Sequence, residues 1–250
     1  MHRRAFLGLM TIGTVSAIAD IKSYNNIDNN IWLKKENLAP FLYACKRVEL
    51  VEKYVGHGNF NILTYDDMLS TARRYPKIGE FTSKELNFME ELFYTNPNKY
   101  GFYGKKTVSS ITSSIDKKKV MKIPNTGHYL FRGHSKKLFN RAISDVGQTL
   151  ILTSGVRGVP KQMNLYLNKI KSTKGDITLA SNSIAPPGYS YHSIGDFDVG
   201  KKGWGYKNFT TSFMRTKEFW KLKQLSYISM RYTVNNQDGV RFEPWHIKTI

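Results

Sequence analysis

From Pro40 to Tyr54 apolar residues recur at helical spacing, and the proline falls in the first turn, where its missing N–H costs nothing. Thr64 stands before Asp66 and Asp67 and can cap a second helix to about Arg74. Thr82-Ser83-Lys84-Glu85 has the form of a capping box and opens a third helix to about Tyr94. The polar, Asn-rich stretch from Asp20 to Glu36 reads as a linker, and Thr95 to Lys106 as a connecting loop. Beyond residue 115 the pattern mixes periods. Ser135 can cap a helix to Val146, Thr149 to Thr153 is a β-rich run, and Pro160 to Lys171 is helical again, with Gln162 on its first turn. Ile177 to Ala180 reads as a strand, Ile184 to Tyr189 as a Pro/Gly loop, and Asp196 to Val199 as a strand. Thr216-Lys217-Glu218 starts a helix that ends near Leu225. Tyr227 to Thr233 and Val240 to Phe242 flank the turn signal Asn235-Asn236-Gln237-Asp238-Gly239 and predict a hairpin. Helices with a mainly antiparallel sheet make an α+β fold. Residues 20–115 then form a helical N-terminal region and residues 116–250 a second part. The first region is expected to wrap the second, and a lid or wall-binding part is the other reading.

Composition adds a compartment. Met1-His2-Arg3-Arg4 is basic, Ala5 to Ala19 is mostly apolar, and Ala17-Ile18-Ala19 fits a small-x-small cleavage site. Residues 1–19 are therefore expected to be a signal peptide, too short to stay as a stable anchor, with the mature chain starting at Asp20. Arg3-Arg4-Ala5-Phe6-Leu7 resembles a twin-arginine export signal, and the ordinary secretory route stays open. Export places the protein in the periplasm or cell wall. Cys45, the single cysteine, stands in an apolar helical pattern and excludes both an internal disulfide and a cysteine-ligated zinc finger. The formal charge is +19, from 38 Lys and Arg against 19 Asp and Glu. The lysines are dispersed and form no single nucleic-acid patch, so the nearer anionic partner of an exported protein is the cell envelope, and solvated lysines of a Lys-rich composition are the other reading.

The candidate chemistry lies near the C-terminus. Ser190-Tyr191-His192-Ser193-Ile194-Gly195-Asp196-Phe197-Asp198 and Glu243-Pro244-Trp245-His246 supply two histidines, nearby aspartates and a glutamate three residues before the second histidine. That is enough to hold one zinc ion, which needs about three protein ligands and an open position, and to leave a carboxylate free as a base. In a strand, residues 196 and 198 share a face, so either aspartate can approach the metal. Of the other histidines, His57 reads as a loop residue, and His128 and His134 as structural or solvated side chains.

These strings resemble the zinc D-alanyl-D-alanine carboxypeptidase family, the VanY-like group. Its pattern is Ser-x-His-x-x-Gly leading to Asp, then Glu-Pro-Trp-His downstream, and a Ser-Gly-Tyr-Arg upstream that here reads Ser154-Gly155-Val156-Arg157, with Gln162 five residues on. The resemblance covers roughly residues 118–250. It implies the Hedgehog/D-Ala-D-Ala peptidase fold, with His192, Asp198 and His246 as zinc ligands and Glu243 as general base. Arg157 would donate to the substrate carbonyl as it becomes an oxyanion, and Gln162 and Ser190 would help hold the peptide. The family places its aspartate seven residues after the first histidine. Asp198 is six after His192, so the alignment needs a one-residue deletion, and Asp196 is the rival ligand.

The resemblance thus implies an exported zinc peptidase that hydrolyses the terminal D-Ala-D-Ala bond of peptidoglycan stem peptides. L,D-carboxypeptidase or endopeptidase action on the same scaffold is one alternative. The other is a non-catalytic cell-envelope binding protein, against which the spare carboxylate of Glu243 argues.

Overall fold

The computed structural model describes residues 29–249; the signal-peptide reading and the first part of the linker lie outside the described residues. Helix α1, Leu38–Val55, buries Phe41, Ala44, Cys45, Val48 and Val51, one face of the helical period. Helix α2, Tyr65–Arg74, is capped by Thr64, whose hydroxyl accepts from the Asp67 amide. Helix α3, Ser83–Tyr94, opens with the full capping box: Thr82 accepts from the Glu85 amide while the Glu85 carboxylate accepts from that of Thr82. The second and third helices match their sequence expectations because each start is set by a local cap, whereas α1 starts at Leu38 without a side-chain cap and is placed by its buried face. Among the described residues no helix is long and apolar enough to cross a membrane.

Strands β1, Val120–Lys122, and β2, Tyr129–Phe131, pair antiparallel. Helix α4 is His134–Val146, β3 is Leu150–Ser154 and α5 is Val159–Ser172. After α6, Ile177–Ser181, come β4, Phe197–Lys201, and α7, Lys217–Gln224. Strands β5, Ser229–Met230, and β6, His246–Lys248, complete an antiparallel sheet in the order β3-β4-β6-β5. The fold is α+β, as expected.

Three local expectations are corrected. Residues 177–180 are helical: the Asp176 carboxylate accepts from the Leu179 amide, and Ile177, Ala180 and Ser181 are buried at spacings of three and four. The cap outweighs the β-branched composition. The hairpin between Tyr227 and Phe242 does not form. β5 pairs with β6, in register Ser229 with Lys248 and Met230 with Ile247. The intervening loop is tied elsewhere: Gly239, at φ +75°, lies so close to the Gly101 carbonyl that a Cβ would sit 2.0 Å from its oxygen. Ser135 lies inside α4 rather than capping it, and its hydroxyl donates to the Gly195 carbonyl.

The two larger hydrophobic clusters among the described residues span most of the elements. The first joins α1, α2 and α3 to α5 and α6, with Phe41, Met89 and Phe93 against Met163, Tyr166 and Ile170. The helical N-terminal region therefore shares its core with a helix that follows Arg157. The second lies between the sheet and helices α4 and α7, around Phe139, Leu150, Phe197, Phe213 and Ile247. Each fully buried side chain of this size contributes about 1.5–3 kcal/mol. Residues 30–33, expected in a loose linker, run beside the α5–α6 connection, where the Leu33 amide donates to the Gly175 carbonyl.

Candidate metal centre

Strand alternation builds the site. Phe197 and Val199 of β4 and Ile247 of β6 turn into the core below the sheet, so Asp198 and His246 turn to its other face. Asp198 and His246 are direct cross-strand partners, which sets their side chains together. β3 delivers Ser154 opposite Asp198 after a register shift at residue 153. His192 comes from the single 3-10 turn Tyr191–Ser193. Its Nδ1 bonds the Gly155 carbonyl at 2.8 Å, which aims Nε2 at the sheet. Gly155 must be glycine: a Cβ there would meet the Tyr129 carbonyl oxygen at 2.0 Å. One turn, closed by the His246 amide donating to the Glu243 carbonyl, brings Glu243 and His246 to the same place.

His192, Asp198 and His246, all buried, each present one ligand atom, and the three atoms lie within 4.8 Å of one another. His192 Nε2 is 3.3 Å from Asp198 Oδ2, and His246 Nδ1 is 3.4 Å from Asp198 Oδ1. A tetrahedral zinc ion with bonds of about 2.0–2.1 Å sets its ligand atoms about 3.3 Å apart. His192 Nε2 and Asp198 Oδ1 are buried without a hydrogen-bond partner. Such orphaned atoms cost about 1–3 kcal/mol each, and a cation between them relieves that. The donor set of two imidazoles and a carboxylate suits zinc.

Asp196 stands behind the cluster rather than in it. β4 begins at Phe197, so Asp196 precedes the alternation that was expected to put it beside Asp198. Its carboxylate accepts from Arg231 Nε at 2.7 Å and Nη2 at 3.0 Å and from the Thr249 amide at 2.9 Å, and it lies 3.1 Å from His246 Nε2. A carboxylate behind a metal-binding histidine fixes its tautomer and ring orientation. The Tyr191 ring centre lies 3.9 Å from the Arg231 guanidinium carbon.

The electrostatics follow from these contacts. Burial disfavours charge on His192, the nearby Arg157 adds to this, and its pKa falls to about 4. Burial also opposes charge on His246, but hydrogen bonds to Asp196 and Glu243 and the charge of Asp198 win, lifting it to about 9. Burial raises Asp198, yet His192 and Arg157 outweigh it and hold the carboxyl well below the ordinary range. Glu243 moves the other way: burial, aided by Asp198, lifts it above an ordinary glutamate despite His246. Its Oε2 lies 3.5 Å from His246 Nδ1.

A cavity of about 590 Å³ opens over this cluster, and Arg157, Ser190, His192, Asp198, Glu243 and His246 all line it. Arg157 donates through Nη2 to Asp198 Oδ2 at 2.7 Å and through Nε to Ser154 Oγ at 3.0 Å. Gln162, expected to hold peptide, is buried off the cavity wall. Its Nε2 donates to the Ala185 carbonyl at 2.6 Å, and its Oε1 is 3.4 Å from Arg157 Nη1. Ser190 precedes the 3-10 turn without capping it through its hydroxyl. Trp245 is buried, packs on Phe209 and Arg241, and also lines the cavity. Sequence reading gave no role to the wall residues His57 and Lys161, and left His128 as a structural side chain with a place on the cleft wall as the other reading. Lys161 pairs with Glu52 of α1 at 2.8 Å, and no spacing signal could link residues so far apart in the chain.

Residues 132–249 match the family model of the D-alanyl-D-alanine carboxypeptidases, VanY. That segment, a little under half of the chain, is similar to the VanY family. It begins after the β1–β2 pair and contains every residue of the cluster. No curated protein matches the chain significantly. Among solved structures, a variant of the vancomycin-resistance D,D-pentapeptidase VanY in complex with Zn(II) is 23% identical, with 52% of this chain and 77% of that one covered and a TM-score of 0.41. VanYB in complex with D-alanine-D-alanine is 25% identical, over 52% and 76%, with a TM-score of 0.42. The LD-carboxypeptidase LdcB is 22% identical, over 49% and 59%, with a TM-score of 0.39. At these scores none of the three bears on activity.

Proposed function

We propose that this chain is a zinc D-alanyl-D-alanine carboxypeptidase that removes the terminal residue from peptidoglycan stem peptides. The observation that carries the reading is the convergence of Glu243 on the His192–Asp198–His246 cluster inside one cavity. A structural metal site has no use for a further carboxylate beside its three ligands, whereas hydrolysis needs a base beside the metal. The VanY match of residues 132–249 supports the reaction class. The leader read from residues 1–19 supports export to the compartment where such peptides lie.

His192, Asp198 and His246 would hold the zinc. When bound, zinc supplies Lewis acidity, polarising the scissile carbonyl and making water acidic enough to lose a proton near neutral pH. Glu243 takes the proton from the attacking water and returns it to the leaving amine. Its raised pKa keeps it basic enough for the first transfer and acidic enough for the second. Arg157 donates to the carbonyl oxygen as it gains negative charge. Gln162 positions Arg157, being buried and fixed by the Ala185 carbonyl. Ser190 lines the cavity beside His192 and holds peptide there.

The test is Glu243→Gln, with zinc per chain measured by elemental analysis and hydrolysis of a D-Ala-D-Ala peptide measured alongside. Glu243 is a base rather than a ligand, so zinc content stays near that of the parent protein while turnover falls by about 10²–10⁴-fold. Loss of zinc with the substitution, or unchanged turnover, contradicts the assignment.

A further inference from the structure

The cavity is longer than the reaction needs. Lys161, Leu165, Asn168, Lys169 and Ser172 all line it, and their spacing is that of one face of α5. The cleft therefore follows the helix away from the metal cluster. Gln162, which contacts Arg157, marks the near end. Lys169 lies seven residues further on, or about 10 Å along the axis at about 1.5 Å per residue. An extended peptide covers that distance in about three residues.

Lys169 is the unpaired cation of this wall. Among the described residues its ammonium makes no ion pair or hydrogen bond. The charge that acts on it is another cation, Arg241, from the loop leading to Glu243. Burial and Arg241 both press the Lys169 pKa below its ordinary value. Arg241 lines the same cavity; its Nε is 3.9 Å from Glu243 Oε1, its Nη2 donates to the Phe209 carbonyl at 3.3 Å, and its side chain remains 40% exposed. Across the whole lining, Arg157, Lys161, Lys169 and Arg241 face only Asp198 and Glu243 among carboxylates. Arg157 is committed to Asp198 and Lys161 to Glu52. The surplus positive charge of the lining is that of Lys169 and Arg241, which line the same cavity.

We propose that Lys169 and Arg241 form a subsite for a free side carboxylate of the bound peptide, about three residues from the scissile bond. A carboxylate placed between two partly desolvated cations relieves their repulsion and gains charge-assisted hydrogen bonds from both. This rests on the peptidase reading in taking the ligand to be a peptide. It goes beyond that reading in requiring an acidic residue, with its carboxylate free, at a fixed distance from the cut. The terminal carboxylate lies within one residue of the scissile bond and is too close to reach Lys169.

The experiment uses the full chain, zinc-loaded, and stem pentapeptides in which each side carboxylate, and separately the terminal carboxylate, is converted to an amide. Binding is measured by calorimetry and hydrolysis in parallel. Amidation of one side carboxylate is expected to weaken binding about tenfold, and Lys169→Gln to abolish that difference while Lys169→Arg keeps it. Equal binding of all side-chain forms by the parent protein overturns the proposal, as does a preference that survives in Lys169→Gln. A Lys169-dependent effect of the terminal amide alone also overturns it. Carboxylate-dependent binding without hydrolysis would sink the peptidase reading and leave the subsite. Hydrolysis without carboxylate dependence would do the reverse.

Discussion

His192 and His246 are neighbours in one buried cluster, yet their protons behave in opposite ways. The difference lies in what stands behind each ring. His192 has a backbone carbonyl at Nδ1, whereas His246 has the Asp196 carboxylate at Nε2. His246 must give up the proton that its carboxylates stabilise before Nδ1 can bind a metal, so zinc affinity is expected to rise with pH. Asp196→Asn should weaken zinc binding by roughly 10–100-fold, because the ring loses its orienting partner. A competition titration with a chromogenic chelator reads this directly, and an unchanged affinity would return Asp196 to a bystander role. At this scale the residues that gather at the cavity were legible in the sequence, since they lie in short strings. Sequence reading favoured Asp198 and kept Asp196 as a rival, because the choice depends on β4 starting at Phe197. It also put Gln162 on the peptide, whereas the structure sets its amide behind Arg157.

At the scale of elements, the site depends on a few backbone approaches. Gly155 supplies the carbonyl that orients His192 and passes the β2 strand at Tyr129 too closely for any side chain. Gly155→Ala should destabilise the fold by about 1–3 kcal/mol and weaken zinc binding at the same time. A denaturant midpoint and a zinc titration on one sample check both, and an unperturbed variant would show that the strand can move away at little cost. Helices with their own caps were legible in the sequence: Thr64, Thr82 and Thr216 each accept from an amide in the first turn. Two elements were not. Residues 177–181 are helical through the Asp176 cap, and β5 pairs with β6 rather than with residues 240–242. Strand pairing is settled by which residues reach the core, here Ile247, and no local pattern encodes a partner.

Over the whole molecule, the helices preceding the VanY segment do more than cover it. They share a core with α5, and Glu52 of α1 bonds Lys161, His57 and Asn164 at the cavity wall. Burial opposes charge on Glu52, but the hydrogen bond and charge of Lys161 outweigh it and hold the carboxyl below its ordinary value of 4.5. A depressed folded-state pKa stabilises the protein above the unfolded value, and that share is lost as pH falls through the folded one. Glu52→Gln should therefore lower the unfolding midpoint at pH 7, and the gap from the parent should close as the pH falls below about 4.5. A constant gap across that range would remove Glu52 from the account. The α+β class and the helical start were legible in the sequence. The shared core was not, because contacts between α1 and α5 join residues more than a hundred positions apart.

Zinc-dependent removal of the terminal D-alanine is read by mass spectrometry of pentapeptide muropeptides incubated with the protein. The expected result is loss of one alanine, abolished by a zinc chelator and restored by added zinc. Loss from tetrapeptide stems or cleavage of cross-links instead would move the reaction to an L,D-carboxypeptidase or endopeptidase. No cleavage of any stem by the zinc-loaded protein would rule out the peptidase and leave an envelope-binding protein.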